Sequence, residues 1–198
     1  MRRPRALAGL VMLSPVTLLL ACSDSPVPTE APRAVIPASA LASQAKHVGA
    51  IVAHDSCDPE SFNAVIGDGT CLNPGRTTFD EFIGELAATQ TARSWKFSPL
   101  NATAQSGADM MAVNVGGEAH TFTPVRQFGG GFIPELNALS GNPVPAPECL
   151  NIPALDFVEA GGKSLISGAA LAAVASPDGI ARVECCLHPW MRTEVQLK

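Results

Sequence analysis

The chain has 198 residues, enough for one domain with a full hydrophobic core and additional segments. Its hydrophobic content of 46% is ordinary for a globular domain and excludes a fibre or a multi-pass membrane protein. Acidic residues outnumber basic ones by 18 to 13, which argues against nucleic acid and anionic lipid surfaces as electrostatic partners.

The N-terminal residues are predicted to form an export signal. Basic residues precede an apolar stretch over 6–20, which is too short, and too interrupted by Pro15, to span a membrane. The stretch ends in Leu-Leu-Ala-Cys22, which resembles the bacterial lipobox and so implies a lipoprotein signal peptide over 1–21 with a lipid anchor on Cys22. The alternative is ordinary secretion with cleavage near Cys22. Both place the mature protein in the periplasm or at the cell surface, and in a Gram-negative bacterium Ser23 favours the outer membrane.

Two segments precede the main domain. Residues 22–46 are rich in Pro, Ala and Ser without a sustained period, which predicts a flexible tether. Residues 47–92 are predicted to form an N-terminal extension, in which Cys57 and Cys71 bracket a loop.

A capping box predicts a short helix in this extension. Thr78 suits the N-cap position, and Glu81 follows three residues later. Apolar residues then recur at helical spacing, at Phe79, Phe82, Ile83 and Leu86. The pattern predicts an amphipathic helix over 79–89.

From residue 93 onward the pattern changes to short β runs separated by Gly and Pro. Several short strands with turn signals between them predict a mostly β sandwich or barrel. The predicted runs are 101–105, 110–115, 119–125, 155–159, 180–186 and 193–197.

A cluster of soft metal ligands lies near the C-terminus. Cys185, His188 and Met191 follow one another at three-residue steps, so that a tight loop can bring all three to one point. Thiolate and thioether are soft ligands that favour copper, and two His, one Cys and a weak axial Met form a blue-copper site. A second imidazole must come from elsewhere in the chain, from His47, His54 or His120. A structural zinc site is the weaker alternative, because a thioether suits copper better.

Two motifs carry a family resemblance. The segment Asn-Val-Gly-Gly-Glu-Ala-His120-Thr-Phe resembles the first-ligand segment of the small blue copper proteins, the cupredoxins. The segment Cys185-Cys-Leu-His188-Pro-Trp-Met191 resembles their ligand loop, and its short His-x-x-Met step is similar to that of amicyanin-like and plastocyanin-like members, in a bacterial lipoprotein form with an HPWM loop. The resemblance covers residues 95–198.

The resemblance implies both a fold and a ligand set. The fold is a cupredoxin-like Greek-key β-sandwich over 93–198 with a short N-terminal helical extension. His120 and His188 become the imidazole ligands of one type 1 copper per chain, Cys185 its thiolate ligand and Met191 its axial ligand. The chain departs from the family in Cys186, which directly follows the thiolate, and in a long Gly- and Pro-rich insertion over 125–153.

The remaining cysteines suggest two disulfides. An exported protein uses cysteines in disulfides or metal sites, and the assignments above account for Cys22 and Cys185. Cys57 and Cys71 enclose a loop of suitable length. Cys149 and Cys186 are then left to pair, a hypothesis that leaves open a free Cys149 or one joined to Cys57 or Cys71.

The resemblance implies one-electron transfer by an exported, lipid-anchored monomer with an unidentified redox protein as partner. The alternative is a copper-binding protein for copper storage or delivery, and a third hypothesis is a binding module that has lost its metal. An enzyme of the multicopper type is not expected, because the chain has only 4 His, too few for a second copper cluster.

Overall fold

A computed structural model describes residues 49–198 of the chain. The predicted signal peptide, the lipid anchor at Cys22, the tether over 22–46 and His47 lie outside the described residues. Between residues 49 and 198 no helix is long and apolar enough to cross a membrane.

One sheet of the fold has four strands in the order β2-β1-β4-β8. β1 pairs in parallel with β4, and the other neighbours are antiparallel. Residues that alternate along β1 and β4 are buried, since successive side chains in a strand point to opposite faces. The strands are β1 (Ala50–His54), β2 (Lys96–Ser98), β4 (Met110–Asn114) and β8 (Lys163–Ile166).

The second sheet has four strands in the order β3-β10-β9-β6, with β3 parallel to β10 and the other pairs antiparallel. A two-stranded ladder of β5 and β7 lies beside the sheets. The strands are β3 (Asn101–Ala104), β5 (His120–Thr121), β6 (Thr123–Val125), β7 (Phe157–Val158), β9 (Ile180–Glu184) and β10 (Arg192–Leu197).

One hydrophobic core joins the two sheets. The inward residues of both sheets belong to a single buried cluster, so the sheets pack face to face. Sheet neighbours are mostly non-consecutive strands, so the chain crosses repeatedly between the sheets, as expected of a Greek-key sandwich. The prediction of a mostly β sandwich is confirmed. The shared core includes Ile51, Phe97, Met110, Ala112, Ile166, Ala181, Val183 and Val195.

The segment 47–92, predicted as an extension, contributes to the sandwich as well as to its surroundings. β1 is an inner strand between β2 and β4, so the first described strand of the sandwich lies well before residue 93. The short apolar run Ala50–His54 predicts a strand, but nothing in its local pattern shows whether that strand lies inside the sheet.

The predicted helix is confirmed as α2 (Phe79–Thr89), preceded by α1 (Pro59–Val65), which the sequence did not predict. Thr78 caps α2 through the backbone N–H of Glu81, and the Glu81 side chain accepts from the backbone N–H of Thr78. α1 has only seven residues and escapes a periodicity search, although Asp58 caps it and Pro59 begins it.

The insertion over 125–153 is held against the sandwich. Two further helices, α3 (Pro134–Leu139) and α4 (Gly168–Val174), and two short 3₁₀ turns lie within or after it. The predicted pairings Cys57–Cys71 and Cys149–Cys186 are both present. The Cys149–Cys186 disulfide joins the insertion to Cys186, which directly follows Cys185. Phe132 N, also in the insertion, donates a hydrogen bond to Cys186 O at 3.0 Å.

Candidate metal centre

Three of the four predicted ligands converge. The Nδ1 atoms of His120 and His188 each lie 3.7 Å from Cys185 Sγ. The donor atoms of the three residues all lie within 4.8 Å of one another, and the three residues are buried. One ion at about 2.0–2.3 Å from each nitrogen and sulfur atom spans such separations. Two imidazoles and a thiolate also form the donor set that copper prefers, so the residues fit the implied metal.

Short elements of the second sheet and the β5–β7 ladder place these ligands. His120 begins β5, and Cys185 directly follows β9. A tight turn then returns the chain to β10: Met191 N donates to His188 O at 2.8 Å, and Cys185 N donates to Met191 O at 3.1 Å. Met191 is 1% exposed and lies within the main core cluster on this turn. Its assignment as the axial ligand stays a prediction.

The groups around Cys185 favour the ionised form of its thiol. Burial by itself raises the pKa of a thiol, but hydrogen bonding and charge from the imidazoles of His120 and His188 hold the pKa of Cys185 well below its ordinary value. Thr121 N also lies 3.5 Å from Cys185 Sγ and donates to it. A thiolate, the form that binds metal, is therefore the favoured form of this buried group.

Asp55 is a hydrogen-bond partner of His120 that no pattern in the sequence predicted. Its Oδ2 atom lies 2.9 Å from His120 Nε2, and both side chains are fully buried. Burial opposes ionisation of Asp55, but the hydrogen bonds from His120 and from Gly117 N lower its pKa below the ordinary value. Burial also opposes the charged form of His120, yet Asp55 and Cys185 raise the pKa of this imidazole to about 9 in the metal-free protein. No local pattern marked Asp55, because its partner His120 lies 65 positions further along the chain.

A second carboxyl group lies beside the other imidazole. Glu118 Oε2 is 3.7 Å from His188 Nε2 and accepts a hydrogen bond from Trp95 Nε1 at 2.5 Å. Burial raises the pKa of Glu118, against the opposing influence of His188 and Trp95. The separation of 3.7 Å from His188 Nε2 is too long for a hydrogen bond between the two side chains.

Aromatic side chains cover the site. Phe82 lies edge-on to the His188 ring, with centroids 6.3 Å apart, and Trp190 lies 5.4 Å from the same ring. His188 is only 2% exposed as a result. Outside it runs an apolar groove of about 290 Å³ between α2 and α3, whose lining includes Phe79, Ile83, Leu136 and Leu187.

The other candidate ligands do not join the centre. His54 ends β1 and is not one of the three converging ligands, and His47 lies outside residues 49–198. Asp55, Cys57 and Glu118 form a second close group of potential ligands, but the Cys57 sulfur is bonded to Cys71. That group therefore lacks the free thiolate it would need to bind a metal ion.

Comparisons with known proteins give distant structural likenesses. No protein-family model matches the chain, and no curated protein matches it significantly. A purple cupredoxin from Nitrosopumilus maritimus is 11% identical, with 76% of this chain and 99% of that chain covered and a TM-score of 0.37. Plastocyanin from Dryopteris crassirhizoma is 16% identical, with 52% and 89% covered and a TM-score of 0.32. Auracyanin from Roseiflexus castenholzii is 15% identical, with 52% and 87% covered and a TM-score of 0.29. These distant likenesses do not show what the chain binds, so its ligands are inferred from its own residues.

Proposed function

We propose that this chain is an exported, lipid-anchored blue copper protein that transfers one electron at a time through a single type 1 copper. The ligands are His120, Cys185, His188 and Met191. The observation that carries the proposal is the convergence of two imidazole Nδ1 atoms on one buried thiol, each at 3.7 Å. A hydrogen-bonded turn and fully buried neighbours hold this arrangement.

The residues of the site would hold the metal with little rearrangement. When bound, copper supplies a one-electron couple between Cu(I) and Cu(II). Cys185 provides a thiolate, His120 and His188 provide neutral imidazoles, and the turn that ends at Met191 limits their movement. The buried Phe82 and the half-buried Trp190 lie over His188 and limit the access of water, so the charge on the site is stabilised by fixed groups of the protein.

Burial favours electron transfer over copper storage or delivery. Release of a metal to another protein requires a ligand to leave and an incoming ligand to reach the ion. His120, Cys185 and His188 are at most 2% exposed. Electrons cross such a covering, whereas an incoming ligand cannot enter without displacing Phe82 or Trp190.

The disulfides and the surface charge support a location outside the cytoplasm and a basic partner. Two disulfides in residues 49–198 suit an oxidising compartment outside the cytoplasm. Loss of residues 1–21 removes three arginines and changes the net charge from −5 to −8. The partner is an unidentified redox protein, and an acidic surface suits a basic one. We further propose that the protein is a monomer, anchored to the membrane through Cys22 alone.

The visible spectrum of the copper-loaded protein tests this function. We expect intense thiolate-to-Cu(II) absorption in the wild type, and its loss in Cys185→Ser. The matched control is the double variant Cys149→Ser/Cys186→Ser, which removes the neighbouring disulfide and should keep the band. Bound copper without a band in the wild type would favour copper handling, and failure to bind copper would leave a binding module.

A further inference from the structure

Asp55 holds His120 from the side opposite Cys185. The Asp55 carboxylate follows β1 and lies 2.9 Å from His120 Nε2. It also accepts hydrogen bonds from the backbone N–H groups of Gly117, Glu118 and Cys57 at 2.8, 3.1 and 3.3 Å. The three backbone groups can only donate, and they reach both carboxylate oxygens, which stabilises the ionised form of Asp55. Its charge is buried and fully engaged.

This hydrogen bond determines which nitrogen of His120 is free to bind a metal. A neutral imidazole has one N–H and one lone pair, and the nitrogen that donates cannot coordinate. Donation from Nε2 to Asp55 leaves the lone pair on Nδ1, the atom that lies 3.7 Å from Cys185 Sγ. The tautomer required for the ligand set is therefore the one that Asp55 selects.

The N-terminal segment clamps the loop that leads to His120. Leu72 N donates to Gly117 O at 2.8 Å, and Asn73 Nδ2 donates to Gly116 O at 2.6 Å. A Cβ atom at Gly117 would meet Cys57 Sγ at 2.6 Å, and one at Gly116 would collide with the Asp55 carboxylate. The loop passes so close to the disulfide and to Asp55 that only glycine fits at these two positions.

We propose that Asp55 is a positioning residue for the metal centre, one that sets the tautomer of His120 and favours the more highly charged oxidation state of the bound ion. This proposal rests on the proposed function, and it gives the segment around the Cys57–Cys71 disulfide the role of holding Asp55 against His120. A fixed negative charge next to a ligand stabilises Cu(II) relative to Cu(I) and so lowers the reduction potential. The protein is then tuned to give up its electron readily.

The reduction potential of Asp55→Asn tests the charge. The amide can still accept from His120 Nε2 but is neutral, so we expect the potential to rise. The ratio of Cu(II) to Cu(I) affinity should fall on the order of tenfold, which corresponds to about 59 mV. Glu135→Gln is the matched control, because Glu135 is an exposed carboxylate that lines the groove over His188. Water and salt screen that charge, so its removal should shift the potential far less.

The tautomer of His120 provides a test that needs no variant. The amide introduced by Asp55→Asn would also point N–H groups at backbone donors, so this variant can fail to fold. Long-range proton–nitrogen NMR of the wild type loaded with Cu(I) identifies which nitrogen of His120 carries the proton. A proton on Nε2 supports the inference. A proton on Nδ1 overturns it, as does an equal potential in the wild type and a folded Asp55→Asn.

The two proposals fail in different ways. Lack of the intense absorption band in the wild type overturns electron transfer through a type 1 site, while the Cu(I) spectrum still decides whether Asp55 sets the tautomer. A wild type with the band, together with an equal potential in a folded Asp55→Asn, keeps the proposed function and removes the role of Asp55.

Discussion

Glu184 makes the free energy of unfolding depend on pH in a direction that can be measured. Its fully buried side chain ends β9, where Oε2 accepts from Gly129 N at 3.1 Å and lies 3.8 Å from Arg192 Nε. Burial raises the pKa of Glu184 from 4.5 to about 8, and the opposing influence of Gly129 N and Arg192 is too weak to prevent it.

The sign and size of the effect follow from this shift. A carboxyl group whose pKa is higher in the folded state binds its proton more tightly when folded. Its contribution to stability is fully present below the unfolded-state pKa near 4.5 and is lost as the pH rises through about 8. At about 1.4 kcal/mol for each pH unit of that interval, the loss is at most about 5 kcal/mol.

Comparison of the wild type with Glu184→Gln isolates this contribution. Gln keeps the shape of the side chain but cannot ionise, so the metal-free variant should lose less stability than the wild type between about pH 5 and 8. Urea unfolding across this range, followed by far-UV circular dichroism, measures the difference. Both proteins keep His120 and Cys185, so the difference between them reports Glu184 together with its coupling to Cys185. Parallel pH profiles would refute the reasoning, because they would mean that Glu184 has an ordinary pKa in the folded state.

Three further substitutions test the packing around the site. Phe82→Ala removes a ring that is 2% exposed and should lower the free energy of unfolding, measured in urea, by about 3–5 kcal/mol. Ile66→Ala, at an exposed position, should change this free energy by less than about 0.5 kcal/mol, and equal effects of the two substitutions would contradict the packing. Gly84 lies in α2, and a Cβ added there would meet no atom within 4 Å. Gly84→Ala should therefore raise the free energy of unfolding by up to about 1 kcal/mol and raise the melting temperature, and a lower melting temperature would mean that the helix is not formed as described. Gly116→Ala should instead lower the stability and alter the copper spectrum, because its Cβ would collide with Asp55; an unchanged spectrum would show that the carboxylate is not held there.

The sequence by itself determined the features whose signals are local. The capping box at Thr78 predicted α2. Short β runs in the sequence predicted β4, β9 and β10, which the structure shows as strands with alternating buried residues. The Cys-x-x-His step predicted a loop that brings Cys185 and His188 together, and the structure brings them together. Each of these signals depends on residues within one or two turns of chain, where spacing alone determines which side chains can meet.

Only the tertiary structure decided how distant segments complete the centre. His120 and Cys185 are 65 positions apart, and only the family resemblance implied their contact. Asp55 and His120 are equally far apart, and no local pattern marks that contact. The inner position of β1, the short helices α1 and α3, and the burial of His188 beneath Phe82 likewise follow from packing between segments. A buried carboxylate is stabilised only by the donors that the fold assembles around it, and those donors are adjacent in space rather than in sequence.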